Sequence, residues 1–356
     1  MTAMRSTASN SDDRTPLRMN AIQRSRLLLT LKIVLPLLLV LLVIGGGLWA
    51  FGPREPLRLE SGFDAATIGS DVEAYLARTE ADIPNLRPGA QKEIVWAYPA
   101  SKAKTPIALV YVHGFSASRD ETRPLSDEVA KRLGANLFYT RLAGHGRDSA
   151  AMAEPEVGDW IDDFAEAMAI GRRLGERVIV IATSTGATLA TLAASRPELT
   201  KGLAGIVEIS PNFGVSDGRS WMLTMPFARS LIPYLGPEEF GTAEAEMTTN
   251  GIWTQRYPTR ALLPMARLVE ATQTLDVSTL RIPALFVYAP GDHVVDTTRT
   301  AEVAARWGGP HETVIVDDSS DPSQHVIVGA ATSPNTTERL SALIAEWIAA
   351  LPSPTT

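Results

Sequence analysis

The segment from Val178 to Ala190 (Val-Ile-Val-Ile-Ala-Thr-Ser-Thr-Gly-Ala-Thr-Leu-Ala) constrains the fold more than any other part of the chain. Its β-branched apolar residues read as a buried strand that runs straight into a sharp turn at Ser184, and the small residues beyond suit a closely packed helix. Such a turn lifts one hydroxyl clear of its neighbours, which is the physical content of the G-x-S-x-G elbow. Here the pentapeptide is Ala182-Thr183-Ser184-Thr185-Gly186. Gly186 removes the side chain where helix and strand press together, and Ala182 places the next smallest residue at the motif's first glycine. Taken alone, the string describes a plain strand-to-helix turn equally well, so its meaning depends on the rest of the chain.

Around this segment the pattern alternates. Glu93–Tyr98 reads as an edge strand, and Ile107–Val112 is a solid apolar run ending in His113-Gly114, as expected of a buried parallel strand. Then follow a helix near Leu125–Leu133, a strand near Asn136–Thr140, a helix near Trp160–Leu174, the strand Val178–Ala182, a helix Ala187–Ser195 and a strand Ile206–Ser210. Such alternation predicts right-handed βαβ crossovers and an α/β fold with a mostly parallel central sheet and helices on both faces. The rhythm stops at Pro211 and resumes with a strand at Ala284–Tyr288, a helix near Thr298–Trp307, a strand at Thr313–Val316 and a helix near Thr337–Leu351. The interval, about 212–280, reads as a helical lid insertion, a usual fate of loops this long. Its apolar stock is Trp221, Met222, Met225, Phe227, Tyr234, Trp253 and Tyr257.

The N-terminal region is a different material. Residues 1–32 carry Arg5, Arg14, Arg18, Arg24, Arg26 and Lys32 against Asp12 and Asp13, a net +4, and Ile33–Phe51 are 19 residues without a charge. At about 1.5 Å per residue that run approaches the ~30 Å thickness of a bilayer's hydrocarbon core. The reading is a basic cytoplasmic tail over 1–32, a single-pass transmembrane helix over 33–51, a linker with a packing helix over 52–92, and the main domain over 93–351. Pro36 and Gly45-Gly46-Gly47 do not oppose this, because lipid-embedded helices tolerate both residue types. A cleaved signal peptide is the other reading, but the run exceeds the usual ~7–15 residue apolar stretch and Leu48-Trp49-Ala50 lacks the small residue expected two positions before a cleavage-site alanine. Basic residues on the N-terminal flank place the main domain outside the cytoplasm by the positive-inside rule.

Removing that +4 from the whole-chain charge of −7 leaves −11 for the rest, which argues against nucleic acid as a partner. The absence of cysteine excludes disulfides, thiolate catalysis and Cys-ligated zinc. A packing helix is expected over Asp64–Ile83, with Val72, Tyr75, Leu76 and Thr79 on one face.

A serine hydroxyl is a poor nucleophile near neutral pH, so it needs an imidazole to take its proton and a carboxylate to orient that imidazole. Asp292 lies in the turn Ala289-Pro-Gly-Asp-His after one late strand, and His325 lies in the polar loop Ser319-Ser-Asp-Pro-Ser-Gln-His after the next. Both fall at the carboxyl edge of the predicted sheet, where open α/β sheets bind ligands. Asp292 could equally be a turn or helix-capping residue, and Asp296, Asp317, Asp318 and Asp321 are its rivals. The other histidines are His113, His145, His293 and His311, and none follows the acid at the end of a last strand.

With these residues in view, the chain resembles the α/β-hydrolase superfamily, in particular its monoacylglycerol lipase-like and serine aminopeptidase-like group. The likeness spans about residues 93–351 and rests on Ser184, Asp292 and His325 in that order, on His113-Gly114-Phe115, and on the turn Gly144-His145-Gly146. The resemblance implies an oxyanion hole made by the backbone N–H groups of Phe115 and Thr185, no metal or organic cofactor, and hydrolysis of a small ester through an acyl-enzyme, and the apolar lid suggests a medium acyl chain or a lipid-derived ester. The departures are Ala182 for glycine and the branched Thr185 after the nucleophile. An aminopeptidase of the same fold would need acidic lid residues to hold an α-ammonium, for which Glu238, Glu239, Glu244 and Glu246 are candidates. A carbon–carbon hydrolase and a catalytically silent binding protein are further readings, and the oligomeric state is left open.

Overall fold

The computed structural model describes residues 20–242 and 251–352, and the chain divides between Gly52 and Pro53 into two units. The first contains α1 (Ala21–Phe51), a single helix of 31 residues. Asn20 caps it by accepting the Gln23 N–H while the Gln23 side chain accepts the Asn20 N–H, a reciprocal capping box. The helix thus begins well before the span expected over 33–51. Arg24, Arg26 and Lys32 are good helix formers and do not interrupt it, so the charge at Lys32 marks the edge of the apolar stretch and not the edge of the helix. Residues 1–19 of the expected basic tail lie outside the described residues.

The second unit is an α/β domain built on one central sheet. The single helix expected over Asp64–Ile83 is two pieces: a 3₁₀ turn at Ala65–Ile68 capped by Asp64, then α2 (Val72–Ala81) capped by Asp71. Gly69, at φ 67°, breaks the helical path between them, and Val72, Tyr75 and Leu76 face inward.

The central sheet contains β1 (Glu93–Val95), β2 (Thr105–Val112), β3 (Asn136–Tyr139), β4 (Gly175–Thr183) and β5 (Leu203–Ile209). A two-stranded ribbon, β6 (Glu239–Phe240) and β7 (Tyr257–Pro258), lies in the insertion, and β8 (Ala284–Tyr288) and β9 (His311–Ile315) complete the sheet. The order is β1-β3-β2-β4-β5-β8-β9, parallel throughout except for the antiparallel edge strand β1.

Alternation along the strands supplies both faces of the core. Ala108, Val110, Val112, Val178, Val180 and Ala182 pack on one side against α4 (Val157–Leu174), α5 (Thr185–Ala194) and, further out, the short α6 (Pro197–Thr200). Leu109, Tyr111, Ile179 and Ile181 pack on the other side against α3 (Leu125–Leu133) and the C-terminal helix.

The insertion over 212–280 is not all lid. It holds a 3₁₀ turn at Ser220–Leu223, α7 (Ala228–Leu235), the β6–β7 ribbon and α8 (Leu262–Thr274), with residues 243–250 outside the described set. Leu268 and Val269 of α8 join the same core cluster as the sheet, so the tail of this interval belongs to the body. Met225, Ala228, Ile232 and Leu263 pack together, whereas Trp221 and Tyr234 are exposed. The cap is stitched to the residues that follow α1: Phe227 N–H donates to the Pro53 carbonyl, and Arg229 pairs with the buried Glu55. The fold closes with α9 (Thr297–Arg306) and α10 (Pro334–Ala350).

The strand order reverses beside β2. From β2 the chain steps to β3 on one side, then crosses to β4 on the other. The segments leaving β2 and β4 therefore diverge to opposite faces, and a crevice opens between their carboxyl ends.

Candidate active site

Ser184 follows β4 at the mouth of that crevice. Its backbone sits at φ 52° and ψ −117°, a conformation that non-glycine residues seldom adopt and that neighbouring bonds must hold. Ser184 N–H donates to the Ile209 carbonyl at 2.9 Å, and the Ser184 carbonyl accepts from Ala187 at 3.0 Å and Asn212 at 3.2 Å. Gly186 is required by contact: a Cβ there would lie 2.4 Å from the Val112 carbonyl oxygen and 2.6 Å from that of His113. The helix after Ser184 thus rests directly on the end of β2. Ala182 is fully buried between Val112 and Glu208 in the sheet.

The three separated side chains meet. His325 Nε2 lies 3.0 Å from Ser184 Oγ, and His325 Nδ1 lies 2.7 Å from Asp292 Oδ2. Asp292 is only an acceptor when ionised, so it fixes the proton on Nδ1 and leaves Nε2 to accept the serine hydroxyl. Its second oxygen accepts the N–H groups of Val294 at 2.7 Å and Val295 at 3.0 Å, which locks the carboxylate in place. The Asp292 carboxylate is fully covered, and Ser184 and His325 are 7% and 8% exposed.

Three of the four rivals are occupied elsewhere, and the fourth, Asp317, is exposed. Asp296 caps α9 through the Thr298 N–H, and Asp318 pairs with Arg339. Burial of Asp321 opposes its charge, but the Ser323 hydroxyl and the N–H groups of Ser323, His325 and Val326 all donate to it and hold its carboxyl below the usual range. It therefore shapes the loop that carries His325. His113 is buried, accepts the Leu142 N–H at Nε2, and is pushed down to about 4 by burial. His145 packs against it at 4.9 Å between ring centres and is likewise driven down by burial, so both rings are neutral supports. His311 bonds the Gly309 carbonyl, and His293 is exposed.

The two backbone donors expected of an oxyanion hole flank the same crevice. Thr185 is the first residue of α5, so its N–H has no partner in the helix ladder. Phe115 follows β2, and its ring meets His145, Trp160 and Tyr257 edge to face.

Glu121 is the residue that the sequence gives no reason to select. It is buried beside the crevice, and its Oε1 accepts from the Gly114 N–H at 2.6 Å and the Tyr111 hydroxyl at 2.8 Å. Burial pushes its carboxyl up to about 7. In the sequence it is one acid in a polar run before a helix, the ordinary signature of a solvated face. The acidic residues considered for holding an α-ammonium do not gather here: Glu239 pairs with Arg256, Glu238 is exposed, and Glu244 and Glu246 lie outside the described residues. Among the described residues no cluster could hold a metal ion.

The family model for serine aminopeptidase S33 matches residues 103–320, more than half of the chain. A thermostable monoacylglycerol lipase of Bacillus sp. strain H-257 is 28% identical over 200 residues, which cover 56% of this chain and 76% of that protein. Among solved structures, one from the metagenome-derived lipolytic enzymes LipS and LipT superposes with a TM-score of 0.58 at 21% identity, covering 74% of this chain and 99% of its own. A soluble variant of monoglyceride lipase from Saccharomyces cerevisiae, in complex with a substrate analogue, gives 0.57 at 10% identity, covering 75% and 95%.

Proposed function

The chain belongs to the serine aminopeptidase S33 family, and from that premise we propose that it is a serine hydrolase of carboxylic esters, of the monoacylglycerol lipase type, anchored to a membrane by α1. The observation that carries the reading is the chain of two hydrogen bonds, Ser184 to His325 at 3.0 Å and His325 to Asp292 at 2.7 Å, on a nucleophile turn with positive φ.

In the proposed reaction Ser184 Oγ attacks the ester carbonyl while His325 Nε2 takes its proton, and Asp292 stabilises the imidazolium that forms. The N–H groups of Phe115 and Thr185 face the oxygen that becomes negative, where each such donor is worth ~2.7–4 kcal/mol in comparable enzymes. The imidazolium returns its proton to the leaving alcohol as the carbon–oxygen bond breaks. Water, deprotonated by the same imidazole, then releases the acid from Ser184. The relatives named as monoacylglycerol and monoglyceride lipases support an ester of glycerol with one acyl chain, a substrate that partitions into the bilayer beside which α1 would hold the enzyme.

The test is hydrolysis of p-nitrophenyl esters of increasing chain length and of a monoacylglycerol, with a fluorophosphonate probe run in parallel. Wild-type protein is expected to turn over the esters and to be labelled on Ser184, and Ser184→Ala to lose both. Equal turnover by the two proteins would remove Ser184 from the mechanism.

A further inference from the structure

Three segments meet around one buried carboxyl: the end of β2, the turn at Ser184 and the cap. Glu121 Oε1 accepts from Gly114 N–H and from the Tyr111 hydroxyl, and that hydroxyl lies 3.2 Å from Thr183 Oγ1, on the residue before the nucleophile. Trp253 of the cap also hydrogen-bonds the Glu121 carboxyl. Beside it, Thr254 N–H donates to the Ser116 carbonyl at 2.7 Å, and Ser116 is held at φ 61°. Among the described residues Glu121 forms no ion pair, so its burial is offset mainly by hydrogen bonds, with a longer-range contribution from the charge of His325. The fit is close: a Cβ on Gly114 would stand 3.1 Å from Glu121 Oε2 and 3.3 Å from the Ser184 Cβ. Gly114 is pinched between this carboxyl and the nucleophile.

We propose that Glu121 is a positioning residue, holding the Gly114–Phe115 peptide at the angle that aims the Phe115 N–H at the developing oxyanion and tying that peptide to the cap through Trp253. The assignment rests on the serine-hydrolase reading above. The Phe115 N–H belongs to the peptide unit directly after the one whose N–H Glu121 grips, so a shift of the carboxyl acts three bonds from the donor nitrogen. All three groups bonding Glu121 are donors, and its two oxygens accept them together. Glutamine keeps the volume and one acceptor oxygen but turns an NH₂ group toward at least one of the three.

The test uses the full chain, with steady-state kinetics on a p-nitrophenyl ester, affinity for a trifluoromethyl ketone that forms a hemiketal oxyanion on Ser184, and thermal unfolding. Glu121→Gln is expected to lower kcat by about 10–100-fold with KM within about twofold, since misplacement by about 1 Å costs on the order of 10²-fold and an oxyanion contact is made only in the transition state. The ketone affinity should fall by the same factor as kcat/KM, which a loss of folded protein would not reproduce. Trp253→Phe should lower kcat less, by about 3–10-fold, and the double variant should be no worse than Glu121→Gln because the two share one hydrogen bond. A kcat and ketone affinity within about twofold of wild type in Glu121→Gln, or losses that multiply in the double variant, would overturn the assignment. Should Glu121→Gln not fold, Trp253→Phe decides alone, and a kcat within about twofold of wild type overturns it. Wild-type protein that neither labels with fluorophosphonate nor cleaves esters would instead sink the hydrolase reading itself.

Discussion

Ser184 holds a backbone conformation that costs on the order of 1–3 kcal/mol, and the bonds to Ile209, Ala187 and Asn212 keep it there. A second residue under tension is Glu208, on β5 beside the strand that leads to Ser184. It is fully buried with one hydrogen bond, from Thr191 at 2.5 Å, and burial pushes its carboxyl up to about 8. Raised above its ordinary value of 4.5, the group adds stability that is complete below about pH 4.5 and lost as pH rises through about 8, because in that window the folded chain keeps a proton the unfolded chain has released. Glu208→Gln keeps an acceptor for Thr191 and cannot ionise. Urea unfolding should find the variant close to wild type at pH 5 and more stable by on the order of 3 kcal/mol at pH 8. The same difference at both pH values would show that Glu208 does not titrate in this range.

At the scale of elements, the site depends on how closely α5 lies on the end of β2. Gly186→Ala would press a methyl group into the carbonyl oxygens of Val112 and His113, backbone atoms that cannot turn aside. Overpacking of this kind costs about 1–3 kcal/mol, and relief would come by lifting α5, which carries the Thr185 N–H. Gly186→Ala is therefore expected to lower both the denaturant midpoint and kcat, and a variant with native kcat and midpoint would contradict the contact. The cap shows a different use of sequence. Its aromatic and methionine content suggested a greasy lid, but Met225 and Ile232 are consumed in packing the cap on itself, Tyr257 packs under Phe115, and Trp253 reaches Glu121.

At the scale of the molecule, α1 is long and apolar enough to cross a bilayer, and the following Pro53 and Glu55 bond directly to the cap. The absence of native cysteine makes the expected topology simple to measure. Ser9→Cys and Ser101→Cys, each made singly, should behave oppositely toward a membrane-impermeant maleimide in spheroplasts: Ser101→Cys labelled at once, Ser9→Cys only after permeabilisation. The reverse pattern would invert the topology. Release of the protein from membranes by alkaline carbonate would remove the anchor altogether.

Much of the fold is written locally. The strand–helix alternation, the turn at Ser184 and the buried apolar runs follow from the periodicity and sterics of residues close in sequence, which is why the parallel sheet and the edge strand at Glu93 are legible from composition and spacing. Where a local signal was missing or misread, the boundaries moved: Gly69 divides a helix that its apolar face alone suggested was continuous, and the capping box at Asn20 starts α1 before its apolar run. Choice among equivalent groups is a different matter. Asp292, Asp296 and Asp321 all sit in turns and all can cap or orient, and nothing within a few residues of each tells them apart. Only the closing of the sheet brings one to the imidazole, one to a helix end and one to the loop between. Glu121 is the extreme case, because its burial is completed by the turn at Ser184 and the cap, segments far from it in sequence, and the energy of a carboxyl depends on what surrounds it in space and not only on its neighbours along the chain.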